Sequence, residues 1–259
     1  MNKMKNLLLV SFLLLIGFKG FGQEEDAPAD DFKKIRIGIN ITPEYCYRRL
    51  NNNGGGFGSN LLISSRNDLE IPKSGFSCGL EMEYAFSKKM SITGGALFSD
   101  KGYKTETMGL TYGNVNDPRL VFVANDPNDP ALPNEASFIY NFYYLDVPLK
   151  AVYKVGNGKF KMRATLGFYV NVFLKATETT VLVSQSGSES KSTQGSWESF
   201  NHVNISPTIG IGVEKQMGDK HFLIIEPCFQ YGVLKIIDTP VTGHLWSFGV
   251  KLGYQFGLK

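Results

Sequence analysis

From Lys34 to the end of the chain, apolar and polar residues alternate with a period of two in eight separate segments. A period of two places successive side chains on opposite faces of a β-strand. In the fifth segment, apolar residues from Phe160 to Leu174 alternate with mostly polar residues from Lys161 to Lys175. The pattern predicts eight strands, each with one apolar and one polar face. The segments are 35–42, 76–86, 90–103, 138–153, 160–175, 203–214, 223–231 and 246–256.

The connections between these segments alternate in length. The short ones are 87–89, 155–159 and 216–220, and the long ones are 48–73, 104–137 and 177–200. Short turns on one rim and long loops on the other are typical of an outer-membrane barrel, with the turns periplasmic and the loops extracellular. We therefore predict an all-β fold, an eight-stranded antiparallel up-and-down transmembrane β-barrel over residues 34–259.

Alternation alone also fits a soluble exported ligand-binding barrel. Three features favour the membrane: many segments are as long as tilted membrane strands require, aromatic residues gather near segment ends, and the polar face is rich in glycine. Glycine suits a crowded lumen better than an open polar surface. The glycines in question are Gly38, Gly79, Gly95, Gly167, Gly210, Gly212, Gly249 and Gly253.

The stretch YLDVPLK at 144–150 places charges inside one of the predicted strands. In a membrane barrel its apolar face meets lipid, whereas Asp146, Pro148 and Lys150 face the lumen. Buried charges are tolerated when they are paired and hydrogen-bonded. Strand parity predicts a lumen charge network in which the following pairs approach each other, with Asp146 and Lys150 joining them. The pairs are Arg36 with Glu83, Arg163 with Glu214, and Glu226 with Lys251.

Four prolines, Pro43, Pro148, Pro207 and Pro227, lie inside predicted strands. Because proline removes a hydrogen bond from the ladder, we expect bulges or strand ends at these positions.

The first 22 residues have the features of a secretory signal peptide, with a basic start, an apolar stretch from Leu7 to Phe18 and small residues before Gln23. Residues 23–33 form an acidic tail, which we expect to be periplasmic. Removing the three lysines of the signal from the 27 basic residues leaves 24, equal to the 24 acidic residues. This balance argues against a nucleic-acid partner, which requires a basic patch.

YLDVPLK resembles a motif of the PorT-like outer-membrane β-barrel proteins of Bacteroidota, and the signal ending GFGQ suits that group. The resemblance covers about residues 34–259. It implies a location in the outer membrane, contact with membrane lipid, and a role beside secretion-system or surface proteins, since the family's namesake takes part in a secretion pathway for surface proteins.

The final stretch KLGYQFGL resembles the signal that the barrel assembly machinery recognises in the last strand. Its matching residues are Lys251, Gly253, Phe256 and Leu258, although Lys259 follows the last apolar residue. The resemblance implies that this machinery is a partner of the chain.

Few residues indicate chemistry. His202, His221 and His244 are predicted near the rims, with no Ser or Asp placed to complete a triad. The NDP repeats supply Asp117, Asp126 and Asp129 as oxygen atoms for calcium, but without EF-hand spacing, and the same tripeptide is ordinary turn chemistry.

Two polar stretches of low complexity, 51–60 and 184–196, predict mobile loop tips, or else a surface that binds a partner or a glycan. Cys46, Cys78 and Cys228 show no framework or metal spacing, and we expect them to be unpaired.

We therefore expect no catalytic, metal or cofactor site. The predicted function is that of a non-enzymatic accessory or interaction protein with a side-chain-filled lumen, because eight strands leave room only for their own side chains. The alternatives are an outer-membrane enzyme that acts on lipid or peptide, and the soluble barrel.

Overall fold

The computed structural model describes residues 34–54, 56–113, 122–123, 129–156, 158–195 and 200–258. The predicted signal peptide and acidic tail, residues 1–33, lie outside these ranges. In the described part of the chain, no helix is long and apolar enough to cross a membrane.

Eight strands close into a ring in which each strand pairs antiparallel with its neighbours. The ring order is β1, β2, β3, β7, β8, β10, β11, β12, and the pairing of β12 with β1 closes it. This confirms the predicted eight-stranded antiparallel barrel. The strands are β1 (Ile35–Asn52), β2 (Glu70–Ala85), β3 (Met90–Thr105), β4 (Met108–Gly109), β5 (Tyr112–Gly113), β6 (Phe122–Val123), β7 (Pro133–Val155), β8 (Phe160–Ser184), β9 (Glu189–Gly195), β10 (Val203–Met217), β11 (His221–Tyr231) and β12 (Val241–Gly257); the helix α1 is Phe57–Leu69.

The two faces of each barrel strand differ as the sequence period predicts. Ile39 and Leu166 on the outer face are 61% and 64% exposed, while Arg163 and Glu214 on the inner face are 1% and 2% exposed. The barrel thus presents an apolar exterior and buries its charges, the reverse of a soluble protein.

The ends of the strands and the long loops differ from the prediction. A loop tip was predicted at 51–60, but β1 extends to Asn52 and α1 begins at Phe57. Regular structure therefore occupies both ends of that stretch. β8 runs 25 residues to Ser184 and forms a hairpin with β9, where 177–200 was predicted to be a loop. Every residue of β9 is exposed, so it carries no apolar alternation by which the sequence could reveal it.

The predicted bulges at the four prolines are wrong. Pro43 and Pro148 each pair in register with the neighbouring strand, opposite Phe76 and Tyr169. Pro207 and Pro227 also pair without a shift of register, opposite Phe168 and Val250. A proline lacks the backbone N–H donor and so loses one hydrogen bond to one neighbouring strand. The pairing with the strand on its other side maintains the register. The register shifts lie instead at Pro72/Phe76, Pro133/Glu135 and Tyr143/Tyr144.

Glycines on the inner face permit close approach of neighbouring strands. A Cβ atom added at Gly95 would lie 2.2 Å from the carbonyl oxygen of Leu80, and one at Gly79 would lie 2.3 Å from that of Ala96. Gly94 follows the opposite parity, and a Cβ atom there would meet nothing nearer than 3.8 Å. The close pairing of β2 with β3 therefore requires glycine at both Gly79 and Gly95.

Candidate functional site

A cluster of ionised side chains fills the barrel near the short-turn end. Arg163 lies at its centre, with Nε 2.7 Å from Glu226 and Nη1 3.4 Å and 3.6 Å from Glu214 and Glu83. Ser91 of β3 donates to Glu83 at 2.8 Å, so all eight barrel strands contribute to the cluster. We call this set the inner charge cluster; its charged members are Arg36, Glu81, Glu83, Lys150, Lys154, Arg163, Glu214, Glu226 and Lys251.

The predicted lumen residues come together, and the predicted pair of Arg163 and Glu214 is present at 3.4 Å, but the other predicted pairs have different partners. Arg36 lies opposite Glu83 in register, yet its ion pair is with Glu214, at 2.7 Å across the lumen. Lys154, which the prediction omitted, pairs with Glu83 at 2.5 Å.

Glu226 and Lys251, which were predicted to pair with each other, also have other partners. These residues are register partners, but Glu226 bonds to Arg163 while Lys251 pairs with Glu81. Lys150 pairs with the same Glu81 at 2.6 Å. In a narrow barrel, long side chains reach strands beyond the adjacent one, which a rule based on neighbouring strands does not consider.

A second network crosses the middle of the barrel. Lys101 Nζ lies 3.0 Å from both Asp146 and the Gln230 side chain. Gln230 in turn donates to Glu44 at 3.1 Å, and Asn171 donates to Asp146 at 2.6 Å. The sequence predicts Asp146 and Lys150 as members of one network, whereas Asp146 pairs with Lys101 and Lys150 pairs with Glu81. Lys101 and Glu44 are not part of that prediction. Lys101 is at an inward-facing position of segment 90–103, and Glu44 is at an inward-facing position two residues beyond segment 35–42. Continuing the alternation could therefore have found both residues.

Taken together, these two networks are electrically neutral, although neither is neutral alone. Six cations, Arg36, Lys101, Lys150, Lys154, Arg163 and Lys251, are matched by six carboxylates, Glu44, Glu81, Glu83, Asp146, Glu214 and Glu226. Each of these side chains is less than a tenth exposed. Opposite charges in contact offset the cost of burying them, so this arrangement closes the lumen with paired charges.

The histidines do not form a catalytic arrangement with the described residues. His221 Nδ1 is hydrogen-bonded to the Tyr254 hydroxyl at 2.5 Å, and His244 Nδ1 lies 3.1 Å from the backbone oxygen of Gly232. His202 is exposed. Among the residues that the structure describes, no carboxylate is hydrogen-bonded to His221 or His244 to orient it as a general base.

The other candidate residues are placed as follows. Asp117 and Asp126 lie outside the described residues, and Asp129 accepts a hydrogen bond from the backbone N–H of Ala131 at 2.9 Å, which is turn chemistry. No cluster with metal-ligating geometry occurs among the residues that the structure describes. The three cysteines are free.

The residues of the proposed assembly signal divide between the two faces of β12. Lys251 and Gly253 point into the barrel, whereas Phe256 and Leu258 point outward. Phe256 pairs with Ile37 and with His221, next to the short-turn end.

The long-loop end holds a separate polar group around Glu70. Arg48 Nε donates to Glu70 at 2.6 Å, and Arg66 of α1 donates to the same carboxylate at 2.5 Å. Arg66 also donates to the Tyr103 hydroxyl at 3.0 Å. Burial opposes the charge on Arg66, but its hydrogen bonds and charge interactions with Glu70 and Tyr103 together outweigh this and raise the pKa of the guanidinium. These contacts hold α1 against the end of the barrel.

A cavity of about 370 Å³ opens beside this group. Its apolar lining includes Tyr103, Phe142, Phe200 and Ile236, which belong to an aromatic cluster at the end of the barrel. We call it the mouth cavity. The sequence did not predict it, because much of its wall, including Arg48, Glu178 and Gln194, lies outside the segments that alternate, although Tyr103 and Phe142 lie inside them.

The closed ring, the apolar exterior and the buried charges are those of a membrane barrel. In agreement, the family model described as outer membrane protein beta-barrel domain matches residues 21–238. The chain belongs to this family. Family membership places the protein in the outer membrane. The family is a broad class of outer-membrane barrels, and the match does not single out the PorT-like proteins.

The chain is similar to several solved structures at low identity. Neisserial surface protein A is 11% identical with a TM-score of 0.41, over 87% of this chain and 97% of its own. OprG from Pseudomonas aeruginosa is 11% identical with a TM-score of 0.43, over 86% and 96%. The outer membrane protease OmpT from Escherichia coli is 9% identical with a TM-score of 0.39, over 92% and 99%. No curated protein matches the sequence.

Proposed function

We propose that the protein is a non-enzymatic outer-membrane β-barrel that acts as an accessory or interaction protein through its long-loop end, in surface-protein secretion. The filled lumen is the observation that supports this proposal. Because side chains from all eight strands, many of them paired charges, occupy the interior, solutes have no path through the barrel. This argues against a role in solute transport. The resemblance of YLDVPLK to the PorT-like motif supports the link to secretion.

The helix α1 offers a surface for a partner. None of its 13 residues is buried, and Phe57 and Leu61 are 79% and 54% exposed. They are one helical turn apart and so share a face, while Ile63 and Arg66 lie on the side toward the barrel. Exposed apolar residues that cluster on one face mark interaction sites. The long-loop end, with α1, is the part that we propose to be extracellular.

A crosslinking pull-down from native outer membranes tests this role. We expect a discrete set of surface or secretion proteins with the wild type, and loss of most of that set with Phe57→Ser/Leu61→Ser. The matched control is Ser64→Ala/Asp68→Ala, which alters the same helix without removing apolar area. Capture of the same proteins by both double variants, or of none by the wild type, would refute the proposal that α1 is a partner surface.

A further inference from the structure

The mouth cavity has the size of a small-molecule site. Its volume of about 370 Å³ is at the lower end of the roughly 300–1,000 Å³ that such sites occupy. Tyr103 and Tyr140 pack with ring centroids 4.9 Å apart, and Phe142 and Phe200 with centroids 5.5 Å apart. The cavity therefore has rigid aromatic walls that suit an apolar ligand body.

A row of side chains crosses four strands along one wall. The register pairs Tyr103 of β3 with Tyr140 of β7, Tyr140 with Glu178 of β8, and Glu178 with Gln194 of β9. Directly opposed residues share a face of the sheet. All four residues line the cavity, so Glu178 presents its carboxylate beside an aromatic wall.

Glu178 is an acid without a partner in the described structure. Its side chain forms no hydrogen bond or ion pair with any residue of the described ranges, although the inner charge cluster and Glu70 have each of their carboxylates paired. An acid that lines an aromatic cavity and lacks a cationic neighbour is available to a cationic group of a ligand.

Cationic residues lie on the other side of the cavity. Arg48 and Arg66 both line it, and with Glu70 they carry a net charge of +1. Arg66 uses Nε and Nη2 in its hydrogen bonds, while Nη1 donates none to a described residue. β8, which carries Glu178, is diametrically opposite β1, which carries Arg48, in the ring of eight strands.

We propose that the mouth cavity binds a small zwitterion with an apolar body, of the size of a short peptide with free ends. The ligand's carboxylate accepts from Arg66, its ammonium group pairs with Glu178, and its apolar side chains pack on Tyr140 and Phe142. A fatty acid would satisfy the arginines but place its hydrocarbon beside the lone carboxylate of Glu178. A simple cation would leave the arginine side without an anion. Only a ligand with both charges satisfies both walls.

Calorimetric titration of the full-length mature protein in lipid nanodiscs tests this inference. The probes are leucyl-phenylalanine, its N-acetyl derivative, decanoate and maltotriose, each with an empty-nanodisc blank. Since a hydrogen bond to a charged group contributes to binding, we expect leucyl-phenylalanine to bind the wild type roughly tenfold more tightly than the N-acetyl derivative. In Glu178→Gln this preference falls to less than about twofold, while the N-acetyl derivative binds as in the wild type.

The matched control is Glu189→Gln, which makes the same change at an exposed position on β9 and should keep the tenfold preference. Tighter binding of decanoate or maltotriose than of leucyl-phenylalanine would overturn the proposal, as would a preference that survives in Glu178→Gln. Absence of binding of leucyl-phenylalanine to the wild type would do so as well. None of these outcomes depends on whether α1 binds a protein partner.

Discussion

Replacing Arg163 with methionine is expected to lower the free energy of unfolding by about 3–5 kcal/mol, the range found when one member of a buried ion pair is removed. Arg163 is 1% exposed and contacts three carboxylates. Methionine preserves most of its length but not its charge. Among the described residues, Glu226 then keeps only the hydrogen bond from Thr165. Urea unfolding in lipid vesicles, followed by the heat-modifiable mobility of the barrel on gels, measures the loss.

Two further variants separate charge from packing. Arg163→Met/Glu226→Gln restores the charge balance and should recover more than half of the lost stability. Arg49→Met removes an exposed arginine from β1 and should change stability by less than about 0.5 kcal/mol. If Arg163→Met and Arg49→Met unfold at the same urea concentration, the inner charge cluster does not stabilise the barrel.

The replacement of Phe256 with aspartate is expected to remove most of the protein from the outer membrane. The direct cost of a charge near the membrane interface is only on the order of 1 kcal/mol, which is too small to unfold a finished barrel. We therefore propose that the loss reports failed recognition of the last strand by the assembly machinery. Quantitative immunoblotting of outer-membrane fractions measures the amount that accumulates.

Phe168→Asp is the comparison for this variant. Phe168 follows the outward parity of β8 and pairs with Leu149 and Pro207, away from the chain's final residues. A charge deeper in the lipid face costs more stability but leaves the signal intact. If Phe256→Asp accumulates normally while Phe168→Asp is lost, then Gly253, Phe256 and Leu258 are only part of another strand, and the likeness to an assembly signal is accidental.

The face to which each lumen residue points could be predicted from sequence. A period of two fixes parity within a strand, which is why Asp146, Lys150 and Arg163 are found inside the barrel. The choice of partner could not be predicted in the same way. Arg36 reaches Glu214 across the lumen from a strand that is not adjacent, and that contact depends on the curvature and closure of the whole ring.

The mouth of the barrel was the least predictable region. Thr177–Val183 pairs with β9 above the apolar band of the barrel. There the strands do not separate lipid from lumen, so apolar and polar residues need not alternate along them. The helix α1 buries no residue and so has no clear apolar stripe facing a core. Arg48, Arg66 and Glu178 therefore appear in the sequence as ordinary surface charges, and only the fold brings them to one cavity.

The central claim is that paired charges close the lumen, and single-channel recording in planar bilayers tests it most directly. Purified protein refolded into lipid is inserted at moderate ionic strength, and the current is followed at several voltages. The filled interior predicts a flat baseline without stable unitary steps, even when insertion is verified by gel mobility. Reproducible steps of constant conductance would contradict the closed lumen and indicate a porin-like function.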